Sequence, residues 1–518
     1  MKAVIYQILP RYWGNYDGRN VRGGSLDENG CGHFADIDDK SLDYFKSLGC
    51  THVWYTGVIR HATSTDGCRD CPSHPQILKG RAGSPYAIKD YFDVNPYLAD
   101  CPDKRMEEFE ELIGRTHAHG LRVILDFVPN HVSRDNVNFG RKDNTGIHWT
   151  AENDFFYYPG EHLTLPVPFE PDGHFSEAFS EYPAKATGNN CFSSSPSVND
   201  WYETVKLNYS DFHTGTWDRM LEILRFWISK GVDGFRCDMV ELVPPEFFAW
   251  VIPEIKKDYP DILFIAEVYK KELYREYIRE AGFDLLYDKS GLYDSLRDIM
   301  AKNSEDDFSP VELWQSTRRI TSNWQFLQDL QPNMLNFLEN HDEQRLCSSE
   351  FVGTAERSYA ALAVSLLFNN AAFMYYFGQE IGEKGEYAEG FSGHDGRNSI
   401  FDWWKIESIG RLFRQIHEGR GLTKDESDIL NRYRELVSYA SRPEVSEGNT
   451  YDLCFCNIHS DGFDADRHFA FLRYNGTSRV LVVCNFSSCP ACIDVDIPIF
   501  ETRRTVQVKP FDYTLVEF

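Results

Sequence analysis

The sequence predicts an α/β protein: a parallel (β/α)8 TIM barrel, with a domain inserted after the third strand and a C-terminal antiparallel β-sandwich domain. Three observations predict it. Over the first two-thirds of the 518 residues, short β-rich runs alternate with helical stretches, the pattern of βα units on a parallel sheet. One connection, from Val132 to about Leu207, breaks the alternation. After about residue 440 only short β runs separated by turn residues remain.

The strands expected in the barrel are Val4–Leu9, His52–Thr56, Leu121–Val128, Val232–Arg236, Leu263–Glu267, Asp284–Tyr287, Met334–Leu338 and Phe373–Tyr376. Amphipathic helices lie between them. One spans Asp103 to His119, with Asp103 as N-cap, an acidic first turn and Gly120 as its stop. Another spans Thr216 to Lys230, with apolar residues at helical spacing, and stops at Gly231. The weakly polar run Tyr359–Phe377 reads as a buried helix followed by a strand, because Ser365, Asn369 and Asn370 interrupt it. Eight strands with helices between them is the count of a (β/α)8 barrel.

The break at 132–206 is rich in Pro, Gly, Asn, Ser and aromatics. A connection that long is functional or a small domain, and it follows the strand that ends in Asn130-His131, so it overhangs that strand end. At the other end of the chain, His468–Tyr474, Arg479–Phe486, Ala491–Ile497 and Arg504–Lys509 read as short antiparallel strands. The expected division is therefore 1–131 and 207–438 for the barrel, 132–206 for the insertion and 439–518 for the C-terminal β domain.

Hydrophobic residues make up 42% of the chain, enough for a substantial core, and the formal net charge is −27. That charge argues against nucleic acid and anionic membrane surfaces as partners, since both require clustered Lys and Arg. The opening Met1-Lys2-Ala3-Val4-Ile5-Tyr6-Gln7 reads as a buried strand and not as a signal peptide. Together with 13 cysteines, an odd number, this leads us to expect a cytoplasmic protein with reduced thiols. Cys68-Arg-Asp-Cys71 is a lone CxxC and is expected to be structural, as are Cys454, Cys456, Cys484, Cys489 and Cys492 in strand-like text.

Four segments carry the chemistry: Asp126-Phe-Val-Pro-Asn130-His131, Gly234-Phe235-Arg236-Cys237-Asp238, Phe264-Ile-Ala-Glu267 and Glu339-Asn340-His341-Asp342. Each starts as an apolar run and ends in acid, base or amide. A parallel barrel gathers such strand ends at its C-terminal face. Two carboxyl groups suffice to cleave a glycosidic bond when one stays protonated and the other ionised. Arg236 and Asp238 are two apart in a strand, so they project together and the guanidinium favours an ionised Asp238. Glu267 emerges from an apolar strand, which suits the proton donor. An isolated acid after a strand is more often a cap or a surface charge; the four segments together are what argue for a site.

With these segments the chain resembles the α-amylase family, glycoside hydrolase family 13, over nearly its whole length. The family's Asp-x-x-x-x-Asn-His is matched at Asp126, Asn130 and His131, its Gly-Phe-Arg-x-Asp at Gly234 to Asp238, its acid at Glu267 and its Asn-His-Asp at Asn340 to Asp342. Ile5–Arg11, Ser84-Pro85-Tyr86 with Asp90-Tyr91, and Phe377-Gly378-Gln379-Glu380 also resemble family segments. The resemblance implies a barrel, a domain B after strand three and a C-terminal β domain. It implies Asp238 as nucleophile, Glu267 as acid/base and Asp342 as holder of the sugar hydroxyls in a retaining reaction. His131 and His341 would bond the same sugar, Tyr86 would stack on it, and Asp126 would orient Arg236.

Many family members bind calcium through the Asn matched by Asn130 and a His four residues after the nucleophile. Here that position is Leu242, preceded by Glu241, and Val205-Lys206-Leu207-Asn208-Tyr209 stands at the end of the insertion. The expectation is that no cofactor is required and no metal is bound, with Asn130 the ligand if calcium is. The resemblance makes the partner an α-glucan oligosaccharide and the reaction hydrolysis of α-1,4 bonds in maltodextrins. A 4-α-glucanotransferase or trehalose-forming enzyme would use the same intermediate, and a binding protein on this fold would be expected to lack the three acids. Among the aromatics, 15% of the chain, Phe155-Phe156-Tyr157-Tyr158 and Trp403-Trp404 are candidates to stack on sugar rings.

Overall fold

The computed structural model describes residues 2–139, 155–210, 215–302, 311–386 and 394–518. Eight parallel strands close into a barrel. They are β1 (Val4–Ile8), β2 (His52–Tyr55), β3 (Arg122–Phe127), β4 (Gly234–Cys237), β5 (Leu263–Ala266), β6 (Leu285–Tyr287), β7 (Met334–Phe337) and β8 (Ala372–Tyr376). Each pairs with its neighbours in sequence, and β8 returns to β1 with Tyr6 opposite Tyr375. The two-residue period of a strand sorts the side chains. Ile5, Trp54, Ile124, Ile265, Leu335 and Met374 form one buried cluster, the filling of the barrel. Their neighbours Tyr6, Val53, Val123 and Leu125 belong to the larger core that joins strands to helices.

The helix expected from Asp103 runs Arg105–Ala118. Pro102 opens a separate 3-10 turn, Pro102–Lys104, which takes up Asp103, so Asp103 is not the cap. Glu108 in the first helical turn instead accepts the N–H groups of Asp100 and Cys101 at 2.8 Å each. The second helix spans Gly215–Ser229 and stops before Gly231, whose φ of +100° suits glycine. Tyr359–Leu367 is a fully buried helix and leads into β8. No described helix is long and apolar enough to cross a membrane.

The insertion follows β3. His131–Ser133 and Thr204–Lys206 pair antiparallel, with Val132 opposite Val205, and so tie both ends of the insertion to the barrel rim. A second ladder, Ile59–His61 with Ile88–Val94, follows β2. Phe155, Phe156 and Tyr158 are buried in the large core that also joins strands to helices, so packing and not sugar stacking explains them; Trp403 is buried too, while Tyr157 and Trp404 are partly exposed.

The C-terminal region is a two-layer β structure. One sheet has the order Asn449–Asp452, His468–Asn475, Ser478–Asn485, Tyr513–Glu517, and the other pairs Ala491–Ile497 with Thr502–Val508. Alternation gives the four-stranded sheet two apolar faces. Ala470, Leu472, Leu481 and Val483 meet Ile493, Val495 and Val506 in a core between the sheets. Phe469 and Phe471 point the other way, onto Phe368 at 5.0 and 5.1 Å. Cys454 and Cys456 lie in a short helix, Cys454–Asn457, and not in a strand as expected. The last long helix, Lys424–Ala440, precedes this region.

Candidate active site

The strand ends converge at one rim of the barrel. A cavity of about 370 Å³ opens there, lined by Tyr86, His131, Asp238, Glu267, Asp342 and Tyr269 among others. Asp126, Arg236 and His341 are buried behind that lining. All eight residues expected to act on substrate are thus brought together, five at the cavity wall and three supporting it.

Arg236 organises the acids. Its Nη1 donates to Asp238 Oδ1 at 2.7 Å, and its Nη2 lies 2.7 Å from Glu267 Oε1. Asp126 Oδ1 is 3.7 Å from Nη1. The guanidinium is fully buried and faces the rings of Trp54, Tyr86 and Tyr287 at 5.4–5.7 Å. Aromatic faces attract the cation without competing for its N–H groups. Trp54 Nε1 donates to Asp126 Oδ2 at 3.0 Å, which fixes the acid that sits beside the guanidinium. Asp238 Oδ2 is buried and has no hydrogen-bond partner among the described residues.

Glu267 accepts from Tyr269 Oη at Oε1 (2.7 Å) and from the Met239 N–H at Oε2 (2.8 Å). Met239 takes a left-handed conformation, φ +45°, which turns that N–H toward Glu267. For a side-chain-bearing residue this is strained by about 1–2 kcal/mol, a common feature of functional backbone. Glu241 Oε1 accepts the N–H groups of Tyr269 and Lys270 at 2.7 and 2.6 Å, and so pins the loop that carries Tyr269.

Three buried acids, Asp126, Asp238 and Glu267, therefore lie within 4 Å of one guanidinium, and Asp342, its side chain 31% exposed, stands on the same cavity wall. Burial pushes the Asp126 carboxyl up to about 6, against the pull of Arg236. Burial, then repulsion from Glu267, pushes Asp342 up to about 7. Burial also raises Asp238 well above the usual carboxylate range, opposed by Arg236. In Asp126, Asp238 and Asp342 the neighbouring Glu267 adds repulsion to the larger effect of burial.

Both histidines are neutral. Burial and the nearby Lys206 and Lys79 ammonium groups push His131 down to about 3. Asn130 Nδ2 donates to His131 Nδ1 at 3.0 Å, leaving Nε2 to carry the proton. Burial, with Arg236, holds His341 well below its usual range. Gln7 Nε2 donates to its Nδ1 at 2.8 Å, while its Nε2 meets Tyr86 Oη at 2.5 Å and Asp342 Oδ2 at 3.2 Å. The Tyr86 ring stacks on His341 at 5.3 Å, and the Tyr side chain is only half-buried, open toward the cavity.

The donors that calcium would use are engaged by a lysine. Lys206 Nζ donates to Asn130 Oδ1 at 2.5 Å and to the Leu242 carbonyl at 3.0 Å. Burial pulls that amine down to about 8, so near neutral pH it remains charged. An ammonium and a divalent cation on the same oxygens repel each other, and these residues do not fit a calcium ion. Among the described residues no group of three or more His, Cys, Asp or Glu is arranged to hold a metal. Cys68 and Cys71 lie with their sulfurs 2.8 Å apart, and the Arg60 guanidinium is hydrogen-bonded to both. That neighbour is a cation where a zinc site would need a third and fourth ligand.

Sequence reasoning missed Tyr269, Met239, Trp54 and Lys206. Tyr269 stands two residues after Glu267, and Lys206 stands opposite His131 in the ladder; those positions were the available signals.

A closed parallel barrel with buried carboxylates on a guanidinium at its rim defines a carboxylate-dependent glycoside hydrolase. A family model for the alpha-amylase catalytic domain matches residues 7–401. The chain belongs to the alpha-amylase family. It is 25% identical to alpha-amylase 3 of Dictyoglomus thermophilum over 463 residues, covering 84% of this chain and 76% of that one. It is 24% identical to a cyclomaltodextrinase of Thermoanaerobacter pseudethanolicus over 499 residues, covering 94% and 70%. In fold it is similar to the Nostoc punctiforme debranching enzyme, with a TM-score of 0.68 at 18% identity over 99% of this chain and 97% of that one. It is also similar to the cyclic α-maltosyl-(1→6)-maltose hydrolase of Arthrobacter globiformis in complex with its substrate. There the TM-score is 0.66 at 18% identity, covering 100% and 98%.

Proposed function

We propose that the chain hydrolyses α-1,4-glucosidic bonds in maltodextrins with retention of configuration. One observation carries the reading. Asp238 and Glu267 share a buried guanidinium at the cavity wall, while the second oxygen of Asp238 is unpartnered. Two carboxyls on one guanidinium stay close, as the retaining mechanism needs at a separation of about 5–5.5 Å.

In this reading Asp238 Oδ2 attacks the anomeric carbon as the C–O bond to the leaving sugar breaks. Glu267 gives its proton to the departing oxygen and becomes the base. Water then attacks the glycosyl ester, Glu267 takes the water's proton, and Asp238 is released as carboxylate. The step needs a proton on Glu267 when the glycosidic oxygen arrives. Asp342 and the Nε2–H of His131 would hold the sugar's hydroxyls, and Tyr86 would cover its ring. Names such as cyclomaltodextrinase among the relatives support an α-glucan as substrate. Lys206 supports activity without calcium, and the odd cysteine count supports a reducing, cytoplasmic setting.

The test is a time course on maltoheptaose, with products followed by chromatography and their anomeric form by NMR. Shorter α-configured products alone are expected. Early appearance of longer oligomers would replace hydrolysis by glucanotransfer, and β-configured products would overturn the assignment of Asp238.

A further inference from the structure

Cys68 and Cys71 lie between the strand Ile59–His61 and the turn Pro75–Ile77, and neither lines the barrel-rim cavity. Their sulfurs are 2.8 Å apart. The loop that carries them is fastened at both ends. Ser73 donates its N–H to the Thr63 carbonyl at 2.8 Å, and Ser64 donates its own to the Arg81 carbonyl at 3.2 Å. Within the loop the N–H groups of Gly67 and Cys68 turn back onto the Ser64 carbonyl at 3.0 and 3.2 Å. The Cys71 carbonyl accepts from Lys89 Nζ at 2.9 Å. The backbone therefore brings the two sulfurs together before any bond joins them. Both cysteines are free thiols and partly exposed, and Arg69 and Asp70 between them are exposed, so a small molecule can reach the pair.

The surroundings favour a thiolate. Arg60 Nη2 donates to both sulfurs, to Cys68 Sγ at 3.6 Å. Asp93, the carboxylate partner of Arg60 at 2.9 Å, also accepts from Arg105 Nε and Nη2 at 2.8 and 2.7 Å. Two guanidinium groups thus share one acid, and positive charge is left over beside the thiols. The Lys89 ammonium nearby is paired with Asp135 at 2.7 Å. A cysteine next to such a cation ionises and reacts more readily. The two sulfurs are not equivalent. Burial, then the hydrogen bond with Cys68, raises the Cys71 thiol against the pull of Arg60 and Lys89. Cys71 therefore keeps its proton and donates it toward Cys68, which leaves Cys68 as the sulfur that reacts.

We propose that Cys68 and Cys71, beside Arg60, form a redox-active dithiol that a small-molecule disulfide oxidises reversibly, Cys68 attacking and Cys71 resolving. The Cys68 thiolate attacks one sulfur of the small disulfide, whose S–S bond breaks as one thiolate leaves. Cys71 then gives up its proton and attacks the Cys68 sulfur, and the mixed disulfide breaks as the second small thiolate leaves. Cys68 and Cys71 lose two electrons and two protons in all, and the small disulfide becomes two thiols. Because the loop holds Cys71 against Cys68, closure outruns a second attack by the reagent. Excess of a small dithiol runs the sequence backwards.

The test starts from full-length protein reduced with dithiothreitol and freed of it. The protein is incubated with oxidised glutathione, alkylated, and digested with trypsin. Trypsin cuts after Arg69, between the two cysteines, so a disulfide between them appears as two linked peptides. Monomeric wild-type protein should yield that linked pair, and dithiothreitol should abolish it. Cys71→Ser should stop with one glutathione on Cys68, and Cys68→Ser should react at Cys71 about tenfold more slowly or worse. Arg60→Met should slow formation of the linked pair about three- to tenfold, because the lost cation lowers the thiolate fraction while the remaining thiolate is a better nucleophile. Separate glutathione adducts on Cys68 and Cys71 would overturn the inference. So would a pair that stays reduced after the exposed Cys101 has reacted, or equal rates in wild type and Arg60→Met.

Discussion

Lys206→Met isolates the internal cation that ties the insertion to the barrel. The lysine donates to two buried oxygens, Asn130 Oδ1 and the Leu242 carbonyl. Methionine fills similar space but leaves both oxygens without that donor, at about 1–3 kcal/mol each. Against this, the variant no longer buries a charge. The amine's fall from 10.5 to about 8 on burial corresponds to about 3 kcal/mol at 1.36 per unit. Set against each other, the two terms leave a net change between about 1 kcal/mol of gain and about 3 kcal/mol of loss, a shift of a few degrees or less in the unfolding midpoint. Lys206→Asp separates two explanations. It sets a carboxylate against the same two oxygens, which costs about 3–5 kcal/mol as an unpaired buried charge. It should also create a calcium response, worth about 2.7 kcal/mol at a hundredfold excess over Kd. Thermal unfolding with EDTA and with excess calcium reads all three proteins. Wild type should be indifferent to both additions, Lys206→Met within a few degrees of it and equally indifferent, and Lys206→Asp lowest and rescued by calcium. A wild-type protein that loses stability in EDTA and regains it with calcium would refute the reasoning, as would a Lys206→Asp protein that ignores calcium.

Other expectations concern the acids. Asp238→Asn should abolish turnover by about 10⁴-fold or more with an unchanged circular dichroism spectrum; near-wild-type rates would remove Asp238 from the mechanism. Glu267→Gln should lose about 10²- to 10⁴-fold on maltodextrins but far less on glycosides with good leaving groups, where proton donation matters little; equal losses would refute the acid role. The Asp342 carboxyl is raised to about 7 in the fold, above its unfolded value. Its stabilising contribution is therefore present below about pH 4 and is lost as pH rises through about 7. Asp342→Asn, uncharged throughout, should close on or overtake wild type in unfolding midpoint between pH 4 and 7.5. A gap that stays constant across that range would contradict the linkage.

The barrel was legible because its signal is repeated eight times. Every expected barrel strand overlaps an observed one, since apolar runs buried on both faces stand out from helical periodicity. The site was legible where chemistry and strand ends coincide, as at Arg236 and Asp238, whose two-residue spacing places them side by side. What sequence did not reveal was contact made by folding. Lys206 reaches Leu242 across 36 residues, and the bond of Tyr269 to Glu267 depends on a loop pinned by Glu241. Asn449–Asp452 and Tyr513–Glu517 were missed as strands because their flanks carry polar residues. In the run Phe155–Tyr158 an apolar cluster does not say by itself whether it faces a ligand or the core; Phe155, Phe156 and Tyr158 are buried and Tyr157 is partly exposed.

The two-faced C-terminal sheet bears on any attempt to recombine this protein with a relative. Phe469 and Phe471 abut Phe368, and the buried Arg473 donates to the carbonyls of Phe368, Val445 and Gly448. Cutting before Asn449 would strip an oily surface bare on the barrel and strand those carbonyls. The sheet is therefore inherited as a wall of the catalytic body and not as a tail. A chimera should keep the helix Tyr359–Leu367, Phe368 and the sheet from one parent, and place its crossover elsewhere.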